Sequence, residues 1–216
     1  MGSRPRLLIP VFLAVFLAQK PLFAERKTLA YGMLGGISGT ALWGKDIHEP
    51  DLDIWLTSGL TLAFQLPAFL GVETDLLYVG KSAAYTRDTD DGGTQVNKIT
   101  AHTLEIPVML KVTMPTESEV QPVFYGGWSF GYWLSKNFSS EIITTIDGSV
   151  QPETLPPEIA KEDLPAWEQS LVVGGGVEWG LGTFQLRFSL GQDSIDGSGR
   201  LDIKNLVTLL MAGFIF

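Results

Sequence analysis

The sequence predicts an all-β fold: an eight-stranded antiparallel up-and-down barrel that crosses a membrane. Three observations carry this reading. Thr103–Thr113 alternates without interruption, with Leu104, Ile106, Val108, Leu110 and Val112 on one face. Thr103, Glu105, Pro107, Met109, Lys111 and Thr113 occupy the other, which is the period of a β-strand. Other segments repeat the pattern with a charge-free face. The gaps between segments alternate long and short, as loops and turns do at the two ends of a membrane barrel.

Taken in order, Met1–Ala24 reads as a secretory signal. Arg4 and Arg6 form its basic start, Leu7–Ala18 its apolar run, and Leu22-Phe23-Ala24 a cleavage site. The apolar run is short of the roughly 20 residues of a spanning helix. Residues 25–216 then form one barrel domain. Without the leader, twelve Lys/Arg face 24 Asp/Glu, a net charge near −12. That excess argues against a nucleic-acid partner, because phosphates require basic patches. The chain has no Cys, which excludes a disulfide scaffold.

Eight strand-like segments follow: Thr28–Ser38, Asp53–Leu66, Phe69–Gly80, Thr100–Thr113, Pro122–Ser135, Trp167–Trp179, Thr183–Gly191 and Ile203–Phe216. Most match the 9–11 residues of a tilted membrane strand. The intervening segments are Gly39–Leu52, Pro67-Ala68, Lys81–Ile99, Met114–Gln121, Lys136–Ala166, Gly180-Leu181-Gly182 and Gln192–Asp202. Both chain ends fall on the short-turn side.

The outward phase holds Leu60, Leu62 and Phe64 in the second segment, and Leu70, Val72, Leu76 and Tyr78 in the third. It holds Phe124, Trp128 and Phe130 in the fifth, and Phe184, Leu186 and Phe188 in the seventh. None is charged. An Arg or Lys at mid-bilayer on this face would cost about 2–4 kcal/mol. A soluble lipocalin-like barrel would show the reverse phase. The inward phase carries charges, amides and many glycines, whose small size makes room for long side chains in a narrow barrel. Glu168 lies on that phase with Gln65 and Gln185. Strand eight departs from this, with Val207, Leu209 and Met211 pointing inward. Aromatics gather near strand ends, as at a lipid–water boundary; Trp55 and Trp133 fall on the inward phase as lumen fillers.

The runs Leu70–Lys81 (LGVETDLLYVGK), His102–Lys111 (HTLEIPVMLK), Pro122–Leu134 (PVFYGGWSFGYWL), Leu171–Glu178 (LVVGGGVE) and Gly213–Phe216 resemble the PorT-type outer-membrane β-barrel family. Its architectural relatives are the eight-stranded OmpX and OmpA barrels. The resemblance covers the whole mature chain and implies a fold and an outer-membrane location in a diderm bacterium, without a defined activity. Phe214 and Phe216 resemble the signal read by barrel-assembly machinery. The implied partners are outer-membrane lipids, that machinery and periplasmic chaperones, with a host or cell-surface ligand reached through the loops.

Glu73, Asp75, Glu105, Lys111, Glu178 and Arg187 are expected to meet in the lumen. Buried charges must be paired, and eight strands leave no room for an open channel. The network therefore reads as a structural plug, with a proton, ion or solute path as the alternative. Four acids against two bases leave an imbalance. A lipid A-modifying enzyme would need a His with a nearby Ser and acid; His102 has no Ser beside it in sequence, so no catalytic residue and no cofactor is assigned. Asp88, Asp90 and Asp91, with Gly92 and Gly93, space oxygen ligands as in a calcium loop, but the closing Glu is missing. Lys136–Ala166, with Pro152, Pro156, Pro157 and Pro165, is long enough for an exposed binding loop.

The function these features point to is a non-enzymatic outer-membrane barrel, structural or adhesion-type, with a filled lumen. A transporter or narrow channel for a small or hydrophobic solute is the alternative.

Overall fold

The structure, a computed structural model, describes residues 28–44, 48–67, 69–88, 94–146, 149–155, 166–194 and 203–216. The predicted leader, Met1–Ala24, lies outside these. The strands are β1 (Leu29–Gly44), β2 (His48–Gln65), β3 (Leu70–Asp88), β4 (Thr94–Thr113), β5 (Val120–Ile146), β6 (Ser149–Leu155), β7 (Trp167–Trp179), β8 (Gly182–Gly191) and β9 (Ile203–Ile215). All pairings are antiparallel, and β1 pairs with both β2 and β9. The β4–β5 pairing completes the ring. Eight strands therefore close into an up-and-down barrel, in which no barrel strand is left with an open edge. β6 is a ninth, short strand that folds back on the outer part of β5.

The short turns lie at one end, between β2 and β3, β4 and β5, and β7 and β8. Leu66 N donates to Leu70 O at 2.9 Å. Thr116 Oγ1 donates to Val120 O at 2.8 Å, and Val120 N donates to Ser118 Oγ at 3.1 Å. Gly180 takes φ +53°, a left-handed conformation that suits glycine, and lets β7 reverse within two residues.

The other end departs from the expected loops. Lys81–Ile99 is largely strand, because β3 and β4 stay paired from Lys81↔Ala101 to Asp88↔Thr94. Within Lys136–Ala166, β5 runs on to Ile146 and returns as β6. Val96, Ile99, Ile142, Ile143, Thr144 and Thr145 supply β-branched residues here. Bilayer thickness limits only the lipid-facing part of a strand, so limiting the segments to that length ended them too early.

The wall has the two expected faces. On β4, Leu110 is 48% exposed while its neighbour Lys111 is 5% exposed. Leu60, Leu62, Phe64, Leu76, Phe124, Phe130, Phe184 and Phe188 are likewise exposed. An apolar band on this scale exceeds what water-soluble monomers present and matches the lipid-facing belt of a membrane barrel.

The lumen is filled. Leu34, Leu77, Val79, Val207, Leu209 and Met211 form one buried cluster, so the inward apolar residues of the last strand are core. Met109, Val123, Tyr125 and Val172 form a second. Trp133 is buried, as a lumen filler should be. Trp55 is not a lumen filler. The β2–β3 ladder shifts register between Leu52 and Thr57, giving β2 one extra residue, as in a β-bulge. The Trp55 ring lies against Gly80 and makes an edge contact with His102 at 5.2 Å between centroids. Ser38 Oγ donates to Gly80 O at 2.7 Å, satisfying a carbonyl beside the bulge.

Candidate functional site

The inward phases of β3, β4, β7 and β8 deliver charged side chains to the barrel axis, where they form two clusters. Nearer the turns, Arg187 on β8 is fully buried between two acids of β3. Its Nη2 donates to Glu73 Oε1 at 2.7 Å and its Nη1 to Asp75 Oδ2. Lys111 on β4 donates to Glu73 Oε2 at 3.2 Å and to Glu178 on β7. Gln185 Nε2 donates to Tyr125 OH at 2.9 Å and to Thr183 Oγ1 at 3.2 Å. The Arg187 guanidinium lies 4.9 Å from the Tyr125 ring centroid, within cation–π range. Gly174 pairs with Arg187 across β7–β8, where a Cβ would press on the Arg187 side chain at 3.0 Å. The glycine makes room for the guanidinium stem.

Nearer the loops, Lys81 on β3 bridges Glu105 Oε1 on β4 at 2.6 Å and Glu168 on β7. Thr103 Oγ1 and Ser129 Oγ donate to Glu105 at 3.4 Å each, and Asn205 Nδ2 donates to Glu168 Oε2 at 3.0 Å. A Cβ on Gly131 would fall 2.8 Å from the Glu168 carboxylate, so this glycine also makes space for a charge.

Of the six residues expected to meet, Glu73, Asp75, Lys111, Glu178 and Arg187 form one connected group. Glu105 belongs to the other cluster, held by Lys81 instead. The sequence puts Lys81 at the start of a loop and Glu168 on the inward phase without a partner. The strand alternation through Val79 and Lys81 is the signal that finds the first. The pairing of Lys81 with Glu168 depends on which walls face each other across the closed barrel. Each cluster holds one more acid than base, so the net charge of −1 in each keeps the expected imbalance.

His102 sits at the loop end, on the outer face. Its Nδ1 lies 2.9 Å from Tyr78 OH, and the two rings stack at 5.6 Å. Among the described residues, no serine hydroxyl is bonded to it, so it forms an aromatic cluster with Tyr78 and Trp55 and not a nucleophile–base pair. Asp88 ends β3, while Asp90 and Asp91 lie outside the described residues. Among the described residues, no group of three or more His, Asp or Glu is arranged to hold a metal. Phe214 and Phe216 are exposed on the outer face, next to β1, with Phe216 N donating to Tyr31 O at 2.7 Å.

No curated protein is significantly similar to the chain in sequence. Among solved structures, Ail of Yersinia pestis, in complex with the heparin analogue sucrose octasulfate, is 12% identical with a TM-score of 0.40, over 88% of this chain and 100% of that one. Neisserial surface protein A is 12% identical with a TM-score of 0.43, over 86% and 97%. OprG of Pseudomonas aeruginosa is 14% identical with a TM-score of 0.45, over 88% and 97%. Residues 17–196, most of the chain, match the family described as "Outer membrane protein beta-barrel domain". The chain belongs to that family and is an outer-membrane β-barrel protein.

Proposed function

We propose that this barrel is a non-enzymatic scaffold of the adhesion type, which holds its loop end outside the cell on a closed wall. The supporting observation is the arginine that crosses the lumen: Arg187 on β8 joins Glu73 and Asp75 on β3, where apolar clusters fill the remaining section. A solute path would have to break this group. Beyond it, β3, β4, β5 and β6 continue as one sheet, a stable platform for a surface ligand.

In this reading the leader is cleaved after Ala24, Phe214 and Phe216 are read by the assembly machinery, and chaperones carry the chain across the periplasm. The L-E-I-P-V-x-L-K run supports a PorT-type subgroup within the family. The test is reconstitution in planar bilayers and in liposomes. Conductance and swelling at the lipid-only baseline, with protease cleavage of intact cells within Lys136–Ala166, support the scaffold. Conductance or swelling above that baseline would instead make it a channel for small solutes.

A further inference from the structure

A small cavity lies at the loop end, beside the cluster of Lys81, Glu105 and Glu168. Trp133, Glu168, Gly191, Asp193, Ser194 and Asn205 are among the residues that line it. Its free volume is about 10 Å³, close to the room that one water molecule needs. Trp133 is 5% exposed, and its indole Nε1–H is shut off from solvent without an acceptor. A buried donor almost always has a partner. Acceptors stand on the other walls. Glu168 takes Lys81 on one oxygen and Asn205 Nδ2 on the other, and each carboxylate oxygen has a further lone pair. Asn205 turns its amide nitrogen to Glu168, which leaves its Oδ1 to accept. Glu105 and Glu168 against Lys81 also leave one negative charge in excess.

These groups select the ligand. A cation would face the indole N–H, and an anion would face the Glu168 carboxylate. A molecule that both accepts and donates satisfies the two, and the volume admits nothing larger than water. We propose that this cavity is the binding site of one resident water, which accepts from Trp133 Nε1–H and donates to Glu168 and to Asn205 Oδ1. It joins β5 to β7 and β9 across the loop end, and gives the surplus carboxylate a donor that Lys81 alone does not supply. The site needs no open lumen and is independent of the adhesion reading.

The test is nuclear magnetic resonance of the full barrel in lipid nanodiscs, with the tryptophan indoles labelled with nitrogen-15. The chain has six Trp, so Trp133→Phe identifies the Trp133 signal by its loss. Magnetisation transfer from water to the Trp133 indole proton is expected, with opposite signs in the laboratory and rotating frames, as for a held water. Asn205→Leu removes an acceptor and fills the cavity, and should abolish the transfer. Ser194→Ala should leave it unchanged, which separates a water from a nearby hydroxyl. The wild-type spectrum decides the proposal even if Asn205→Leu does not fold. No transfer, or equal signs in the two frames as for exchange with bulk water, would overturn it. So would transfer that persists in folded Asn205→Leu or is lost in Ser194→Ala. An indole signal that moves with chloride concentration would also overturn it, and would assign the cavity to an anion.

Discussion

The two charge clusters in the lumen solve the same problem with different materials. Near the turns, a guanidinium and an ammonium serve three carboxylates, with Gln185 and Tyr125 filling the remaining space. Near the loops, one ammonium serves two carboxylates, helped by hydroxyls and an amide. The side chains of Arg187, Glu73 and Asp75 are fully enclosed, whereas each ammonium serves an acid that keeps some exposure, Glu178 at 17% and Glu168 at 10%. A planar guanidinium can hold two acids in fixed directions where no water helps. A flexible ammonium is sufficient where water lies nearer. The comparison teaches that the plug is strongest where it is driest, and single substitutions should rank accordingly.

The largest effect is expected at Arg187. Arg187→Met removes the shared partner of Glu73 and Asp75 and leaves Asp75 buried without a counter-charge. Breaking a buried pair from one side costs about 3–5 kcal/mol. Urea titration of the barrel in lipid vesicles, read by its heat-dependent gel mobility, should show that loss. Arg187→Met combined with Asp75→Asn and Glu73→Gln should recover much of it, since the stranded charges are then gone. A triple variant no better than the single one would mean that the arginine acts through packing and not through charge.

The next effect separates the inside of the wall from the outside. Leu110 and Lys111 are neighbours on β4, yet one is exposed and the other buried in the lumen. Leu110→Arg places a charge on the lipid side, at a cost of about 2–4 kcal/mol near the bilayer centre. The same charge one residue later is native. If Leu110→Arg inserts into vesicles with unchanged stability, the belt does not meet lipid at that height.

How much of this was legible in the sequence follows from the same pair of residues. The alternation through Leu110 and Lys111 assigns two faces from local order alone, because side chains on a strand change sides at every residue. It placed Glu73, Asp75, Glu105, Lys111, Glu178 and Arg187 inside. It did not divide them into clusters, since that depends on stagger around a closed ring, which no single strand records. A segment of bilayer length ends at Gly80 and leaves out Lys81, although Val79 and Lys81 continue its inward phase. Trp55 was misplaced for a different reason. A one-residue bulge changes which side a side chain takes, and nothing in Asp53–Leu56 announces it.

Lys81→Met tests the cluster near the loops. It removes the ammonium from Glu105 and Glu168, while Thr103, Ser129 and Asn205 still donate to those carboxylates. Charge-assisted hydrogen bonds are worth about 1.5–3 kcal/mol, so a loss of about 2 kcal/mol is expected, smaller than for Arg187→Met in the same urea assay. A loss equal to or larger than that of Arg187→Met would reverse the ranking and place the driest part of the plug at the loop end.

The smallest effect carries the comparison out of the lumen. At the loop end Lys98 reaches Asp53 at 3.0 Å, and Ser82 Oγ donates to the same carboxylate oxygen at 2.7 Å. The geometry resembles that of Lys81 and Glu105, but the two side chains are 51% and 44% exposed. Water then solvates each ion almost as well alone as paired, and exposed pairs contribute about 0–1 kcal/mol. Lys98→Ala should therefore shift the urea midpoint by less than half the shift of Lys81→Met, and the small shift should disappear at about 0.5 M salt, where screening shortens the reach of surface charges. Lys81→Met should keep its full effect at that salt, because ions do not enter a filled lumen. Equal salt sensitivity in the two variants would show that the loop-end cluster is in open exchange with solvent, and that the plug consists of the Arg187 group alone.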